Sequence, residues 1–163
     1  MVKRAATKKY SVKKKTVKTK SKKIAIVTSL FNDHITKKLE KGAYQTLIKN
    51  GYQDKHIFKV DVAGAFEIPF ICQLLAKQKK FAGIIALGCV IKGETPHFDY
   101  VCQAVTQGCL RVQLDTHCPV SFGVVTTNNE KQAKDRSGNN KYNKGVEAVY
   151  ALLHTLDTID KIK

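Results

Sequence analysis

The sequence predicts an α/β domain: a parallel sheet of four strands covered by helices on both faces. Three observations carry this. Short apolar or β-branched runs alternate with amphipathic stretches in the order βαβαβαβ, and helical segments follow at the C-terminal side. The run FAGIIALGCVI at 81–91 has no polar interruption, as a strand buried on both faces of a parallel sheet requires. The chain has 163 residues, one domain's worth, enough to bury roughly 70% of its unfolded surface without a disulfide or metal staple.

KIAIVTS (23–29) is a short β-branched run and reads as a buried strand. In the next segment, 33–51, Ile35, Leu39, Ala43 and Leu47 recur at helical spacing, with Tyr44 and Ile48 widening the stripe. Asn32 or Asp33 can cap that helix and Gly51 can end it. HIFKVDV (56–62) alternates like a strand. The segment 64–80 opens on a Gly turn and continues as a helix, with Phe70, Ile71, Leu74 and Leu75 expected inward. After the strand at 81–91 and the polar stretch KGETPHFDY, a helix is expected over 101–117, with Val101, Ala104, Val105 and Val112 inward. CPVSFGVVTT (118–127) is the fourth strand, with Pro119 at its start, where proline is tolerated. NNEKQAKDR can begin a short helix at an Asn cap, SGNNKYNKG is a loop, and VEAVYALLHTLDTI (146–159) is the last helix. There is no internal repeat and no sign of a second domain.

The formal charge is +16, and its distribution is uneven. Residues 1–23 hold ten Lys, one Arg and no acid, while 24–163 carry 18 basic and 13 acidic side chains. Residues 1–22 therefore read as a basic tail whose like charges keep it from folding alone, and 23–163 as the domain. The tail lacks the apolar core of a secretory signal and is too Lys-rich and Arg-poor for a mitochondrial transit peptide. It is either a solubilising arm or a polyanion-binding one. Tyr10 is its single aromatic, so base stacking has little to work with. No segment has the roughly 18 apolar residues of a membrane span. The five cysteines (72, 89, 102, 109, 118) form no CxxC pair. They read as reduced thiols in a reducing compartment, the cytoplasm.

In an open α/β sheet, ligands bind beyond the carboxyl ends of the strands. Four segments leave strands there: SLFND (29–33), AGAFEIP (63–69), IKGETPHFDY (91–100) and TTNNE (126–130). Each carries polar, glycine or aromatic residues. Gly93 permits close backbone approach, and the amides of 93–95 with the Thr95 hydroxyl can cradle an anion before a helix. His97 is the one histidine in a predicted strand-end loop. It is either a proton donor and acceptor near neutrality or a cap and turn residue. Phe31 and Phe66 are core residues or a flat wall for a heteroaromatic ring. Glu67 accepts from ligand hydroxyls or serves as a helix N-terminal charge. Arg136 and Lys144 clamp a phosphate or are two of many exposed bases. His34, His56, His117 and His154 fall near expected element ends and read as surface residues, and no histidine spacing suits a metal. GxGxxG, GxxxxGK[ST] and GxSxG are all absent, so dinucleotide, P-loop and hydrolase readings lack their signals.

The motifs SLFN, GAFEIP, ALGCVIKGETPHFDY, FGVVTT and NKGVEA, in this order from about Lys23 to Leu156, resemble the lumazine synthase (6,7-dimethyl-8-ribityllumazine synthase) family. The resemblance implies a flavodoxin-like three-layer sandwich, with residues near the end of the tail adding a strand to a neighbouring subunit's sheet. It implies a transferase of riboflavin biosynthesis that condenses 5-amino-6-(D-ribitylamino)uracil with 3,4-dihydroxy-2-butanone 4-phosphate, using no metal or redox cofactor. It assigns Phe31 to stacking on the pyrimidine, with Asn32 nearby. It assigns Ala65, Phe66 and Glu67 to the ribityl chain, and Cys89, Val90 and Ile91 to the pyrimidine pocket. Gly93, Glu94, Thr95 and Arg136 would hold phosphate, and His97 would shuttle protons. Phe122, Arg136 and Lys144 would come from a neighbouring subunit of a homopentamer, with Glu147 positioning Lys144. Three positions depart from the family pattern: Leu30 where Arg is frequent, Asn140 where Lys is frequent and Tyr142 where Gly is frequent. The 137–145 loop has no evident insertion, which leaves a closed shell of twelve pentamers open; the bulk of Tyr142 tells against it. A shell that binds a flavin-like ligand without catalysis is the competing reading, and the presence of every motif residue speaks against it.

Overall fold

The computed structural model describes residues 22–162. Strands β1 (Lys23–Ser29), β2 (Ile57–Val62), β3 (Phe81–Ile91) and β4 (Val120–Thr127) alternate with helices α1 (Asp33–Lys49), α2 (Ile68–Lys77), α3 (His97–Thr116), α4 (Glu130–Ser137) and α5 (Lys144–Ile162). Short 3₁₀ turns, Asp54–His56 and Ala65–Glu67, lead into β2 and α2. All strand pairs are parallel, in the order β2-β1-β3-β4, the flavodoxin-like order with one strand fewer. The tail expected over 1–22, and its strand to a neighbour, lie outside the described residues except for Lys22.

Period-2 alternation in β1 sorts its side chains between two cores. Ile24 and Ile26 pack with Leu87 of β3 against Leu39 and Leu47 of α1 and Leu152 of α5. Ala25 and Val27 pack with Ala86 against Ile68 and Cys72 of α2 and Val105 of α3. The sheet is therefore the middle of three layers, and β1 and β3 read as unbroken apolar runs because both faces are covered. Helix α1 buries Ile35, Leu39, Ala43 and Leu47, the stripe its spacing predicts, and the chain leaves it through Gly51 at φ 88°.

Several expectations are corrected. Helix α3 begins at His97, not Val101, because Pro96 at φ −63° already sits in helical conformation and starts the turn. Helix α5 begins at Lys144, not Val146, so His154 falls in the body of a helix rather than near an end. In α2 the buried residues are Ile68, Cys72, Leu75 and Ala76; Phe70 and Leu74 point outward at 64% and 46% exposure. That helix is apolar nearly all round, so periodicity alone does not choose its inner face. Contact with α3 is tight at Pro69, whose ring carbons would lie 2.6 Å from any Cβ placed on Gly108. On α3 the buried set is Val105, Cys109 and Val112, while Val101 and Ala104 are half-buried.

Helix α5 is held at its start by a buried side chain that spacing does not reveal. Asn143 accepts from the Gly145 and Val146 amides through Oδ1, at 2.9 and 3.1 Å. Through Nδ2 it donates to Ser137 O at 2.7 Å and Gly138 O at 3.1 Å, with a longer contact to Lys38 O. It caps α5 and clasps the preceding loop. Gly145 then lies so close to α1 that a Cβ there would stand 2.1 Å from Leu39 O. Because that neighbour is main chain, relief requires one helix to move.

Gly145→Ala is expected to lower the unfolding free energy by about 1–3 kcal/mol, the usual cost of overpacking, measured as a reduced urea midpoint. Gly93→Ala, where nothing lies within 4 Å of the new Cβ, is the control and leaves the midpoint unchanged. Equal midpoints for the two variants would contradict this α1–α5 packing.

Candidate active site

The carboxyl ends of the four strands are stitched into one rim. The Leu30 amide donates to Val62 O at 2.8 Å and the Phe31 amide to Ala63 O at 3.0 Å, carrying the β1–β2 ladder past both strands. On the other side the Lys92 amide donates to Thr127 O at 2.8 Å, joining the ends of β3 and β4. Between them, Asn32 Nδ2 donates to Cys89 O at 3.0 Å and ties the β1 exit to β3. Asn32 is thus not a side-chain cap for α1, as its position before the helix suggested. Its backbone sits at φ 61°, ψ 45°, a conformation in which Asn is among the least strained residues after Gly. The left-handed turn aims the amide back at the sheet instead of along the helix. A sequence signal for this existed, since Asn in place of Gly at a sharp strand exit marks such a turn.

Around this rim the chain brings together most of the residues singled out above. Phe31 is 70% exposed and Phe66 63% exposed, so neither is a core residue and both offer open ring surface. Ala65 is buried, and Val90 and Ile91 are half-buried. Glu67 Oε2 accepts from the Gly64 amide at 2.9 Å, which fixes the 3₁₀ turn and the carboxylate together. A carboxylate has acceptor sites for several donors, so Gly64 occupies only part of its capacity. Gly93, Glu94, Thr95 and His97 are exposed on the stretch that leads into α3. That 20-residue helix starts at His97, and its N-terminal amides and dipole favour a negative charge there. His97 is the first residue inside the helix and Pro96 occupies the cap position, so His97 is not the cap. Asp99 lies in the first turn as a helix-start charge.

Cys89 contributes main chain, not a side chain, to the rim. Its thiol is buried in the core beneath α1 and α5, and burial pushes its pKa up to about 11. Cys118, on the other face, is likewise pushed up to about 11 by burial. Cys72 and Cys109 lie close together between α2 and α3, and a thiol–thiol hydrogen bond with burial raises Cys72 well above its usual value. All five cysteines are free thiols.

Three of the singled-out residues stand apart from the rim. Phe122 pairs with Ala86 and lies five residues before Thr127 on β4, about 16 Å down the strand. It is 42% exposed. Arg136 is on the last turn of α4, half-buried, donating from Nη1 to its own helix at Gln132 O. Lys144 opens α5 and is ion-paired with Glu147 at 2.5 Å, the pairing expected one helical turn on. Two hollows of the described surface also lie away from the rim. One, of about 190 Å³, is beside Phe122 between β4 and α5; the other, of about 160 Å³, is between α1 and the 138–143 loop. Among the described residues, four buried hydroxyls, Thr28, Ser29, Thr36 and Thr127, lack a protein partner. They stand at the ends of β1 and β4 and in the first turn of α1, so unsatisfied polarity is concentrated near the rim. Among the described residues, no group of three or more His, Cys, Asp or Glu side chains is arranged to hold a metal ion.

A family model described as 6,7-dimethyl-8-ribityllumazine synthase matches residues 21–160. The protein of that name from Desulfovibrio desulfuricans is 43% identical over 143 residues, covering 88% of this chain and 92% of its own length. The one from Campylobacter lari is 44% identical over 141 residues, covering 86% of this chain and 90% of its own. The one from Lawsonia intracellularis is 42% identical over 140 residues, covering 86% and 89%.

Two outcomes follow from the rim's geometry. Asn32→Ala removes the donor to Cys89 O and places a less tolerant residue at positive φ; it is expected to cost about 1–2 kcal/mol. It should also speed amide exchange at Leu30 and Phe31. Asn32→Gly keeps the turn and is expected to lose less stability, and identical losses in both would mean that the bond, not the turn, matters. Second, Cys89 and Cys118 bind their protons more tightly folded than unfolded, because their folded pKa values are raised from 9.0 to about 11. Their contribution is fully present below pH 9 and is lost as pH rises towards 11. Denaturation midpoints should fall across that window, and a double Cys→Ser variant should fall less.

Proposed function

The chain belongs to the 6,7-dimethyl-8-ribityllumazine synthase family, and we propose that its carboxyl-end rim is one subunit's half of the active site, completed by Phe122, Arg136 and Lys144 of a neighbouring copy. It is a transferase that condenses 5-amino-6-(D-ribitylamino)uracil with 3,4-dihydroxy-2-butanone 4-phosphate. The product, 6,7-dimethyl-8-ribityllumazine, is formed in the penultimate step of riboflavin biosynthesis.

The observation that carries the site is the convergence of Phe31, Phe66, Glu67 and the 93–97 stretch on a single hydrogen-bonded rim. Phe31 stacks on the pyrimidine, next to the Asn32–Cys89 bridge and the half-buried Val90 and Ile91. Ala65 and Phe66 line the path of the ribityl chain, and Glu67 accepts from its hydroxyls with the acceptor capacity that Gly64 leaves. Gly93, Glu94 and Thr95 hold the butanone phosphate at the start of α3, with Arg136 of the neighbour adding charge. Gly93 has the open surroundings that a bulky anion needs.

The reaction needs proton transfers at several points. The amine attacks the ketone to give an imine and water, phosphate leaves, and the ring closes on the second carbonyl with loss of a second water. An imidazole beside the phosphate site can accept and donate each of these protons near neutral pH. His97 is the exposed imidazole at that point. The rest of the acceleration comes from holding two substrates in register. Lys144, steered by Glu147, meets the pyrimidine from the neighbour's side, and Phe122 closes over it.

Two features support an oligomer with shared sites. Large apolar side chains stay exposed on one chain, among them Phe31, Phe66, Phe70, Leu74 and Phe122, more than a lone soluble domain usually shows. Phe122 is also too far down β4 to reach its own rim. The assembly is read as a homopentamer. Tyr142 is 40% exposed on the α4–α5 loop, with Lys141 Nζ 5.1 Å from its ring centre. The bulk of Tyr142, where the family often has Gly, supports reading the assembly as a pentamer and not a shell. Among the described residues no helix is long and apolar enough to cross a membrane. We read the enzyme as cytoplasmic, which five free thiols support.

Purified protein supplied with both substrates is expected to form a species with lumazine absorbance above the uncatalysed background; its absence would overturn the functional reading. His97→Ala should slow turnover about 100-fold with the native mass unchanged. An unaltered rate would remove His97 from the mechanism. Mixing His97→Ala with Phe122→Ala subunits should restore activity through hybrid sites that carry both native residues, which a site built within one chain would not show.

A further inference from the structure

Helices α1 and α4 begin on the same face of the sheet at its carboxyl end. Helix α1 starts at Asp33, just past β1, and α4 at Glu130, just past β4. Leu39 of α1 and Ala133 of α4 share one core, and the strand order leaves the end of β3 between the two exits. His34, on the first turn of α1, spans that gap. Its Nε2 lies 3.2 Å from Oε1 of Glu130, on the first turn of α4. The same oxygen takes Lys134 Nζ at 2.8 Å, one turn along α4. Lys134 above all, with His34 adding to it, holds the Glu130 carboxyl below its usual range. The carboxylate therefore stays ionised near neutrality and accepts from an imidazole N–H whether the ring is neutral or charged.

Helix α4 needs an anchor of this kind. It has eight residues, too few to be stable alone. Its buried residues are Ala133 and Ser137, so apolar area gives it little grip on the core. Its start is closed by local bonds: the Gln132 amide donates to Asn129 Oδ1, and Gln132 Oε1 accepts from the Asn128 amide. These fix the turn but not its place on the fold. At the far end, Asn143 Nδ2 donates to Ser137 O at 2.7 Å. At the near end, His34 supplies the tie to another element. Nothing in α1 itself calls for an imidazole there. A helix start favours negative charge, which Asp33 supplies while paired with Lys37 at 2.8 Å. His34 and Glu130 are each about half exposed, so the pair adds little to overall stability. Its effect is on where α4 stands.

We propose that His34 is a positioning residue for the butanone phosphate: through Glu130 it fixes the orientation of α4, and with it the Arg136 guanidinium presented to the neighbouring copy. The inference rests on the reading of Arg136 as a phosphate ligand given above. Arg136 donates from Nη1 to Gln132 O, so its guanidinium rides with the helix. A helix held only at its far end can turn about its own axis; one held at both ends cannot. Side chains of a helix reach roughly 5–6 Å from the axis, so a twist of about 20° carries such a group about 2 Å. That is more than a positioned contact tolerates. His34 itself touches no substrate in this reading and acts only through Glu130.

The test uses the full-length protein and has two arms. The first is native-state amide exchange, which needs no substrate and so judges the tie apart from the enzymatic reading. His34→Leu should speed exchange about 3-fold or more at the Ala133 amide, which bonds to Asn129 O, with α5 unchanged. The second is steady-state kinetics. His34→Leu should raise KM for the butanone phosphate about 3-fold, the scale of one exposed pair, with kcat and KM for the ribitylaminouracil unchanged. His34→Gln, whose amide still donates to Glu130, should return KM towards the native value. KM in H34L/E130A should be no higher than in E130A alone. Unaltered exchange at Ala133 in H34L overturns the tie. Faster exchange with an unaltered KM for the butanone phosphate overturns its part in phosphate binding. Equal rises in KM for both substrates, or H34Q behaving as H34L, would make His34 a packing residue and overturn the proposal. Absence of lumazine with the native protein would overturn the enzymatic reading instead, with the tie still judged by exchange.

Discussion

The site depends on β1 and β3 lying side by side while their onward connections leave over opposite faces of the sheet. Helix α1 follows β1 on the face that holds Leu39 and Leu47. Helix α3 follows β3 on the face that holds Val105 and Cys109. Two chains that separate in this way open a crevice above the strands. Left unbraced, it would be spanned only by mobile exits. Asn32 closes the gap from below by bonding to Cys89 O, and the Leu30, Phe31 and Lys92 amides extend the ladders on either side. The exposed aromatics therefore stand on rigid backbone. Two substrates can be held in register only by such a floor, since a displacement of about 1 Å costs much of the gain from positioning.

How much of this was readable in the sequence varies with the type of signal. The four strands and the stripe of α1 were legible because burial on both faces of a sheet, or on one face of a helix, imposes a period. Helix starts were less so. KGETPHFDY has no apolar period, so the helix that begins at His97 was hidden within it, and the cue was Pro96. Helix α2 is apolar on several faces, and the choice among them was made by Pro69 meeting Gly108, a tertiary contact with no local trace. The rim segments were visible as polar or aromatic residues following strands. The roles of Asn32 and Asn143 were not, because each depends on where a distant carbonyl or a loop arrives. Phe122 shows the same limit at the next level: nothing inside one chain explains its place.

The electrostatic layout differs between the two ends of the sheet. At the rim, exposed carboxylates and a helix N-terminus are interspersed with His97 and Lys92, so charges of both signs lie close together there. At the opposite edge, Lys23, Lys55, Lys79 and Lys80 are exposed. Surface charges more than about 8 Å apart are largely screened at physiological ionic strength. A sheet about six residues deep separates the two ends by roughly 20 Å. A charge at one end therefore has little influence on the other.

The clasp at the start of α5 has a consequence for how sequences of this kind can drift. Asn143 ties the chain to Ser137, Gly138 and Lys38 on one side and caps α5 on the other, and Gly145 is seated against Leu39. The residues between, 139–142, are exposed, and Asn140 ties them in, donating to Asp135 O at 3.3 Å and accepting from the Tyr142 amide at 2.7 Å. Substitution in this region is therefore felt least on the exposed face of the loop and most at the buried Asn143 and Gly145, which fix where α5 begins.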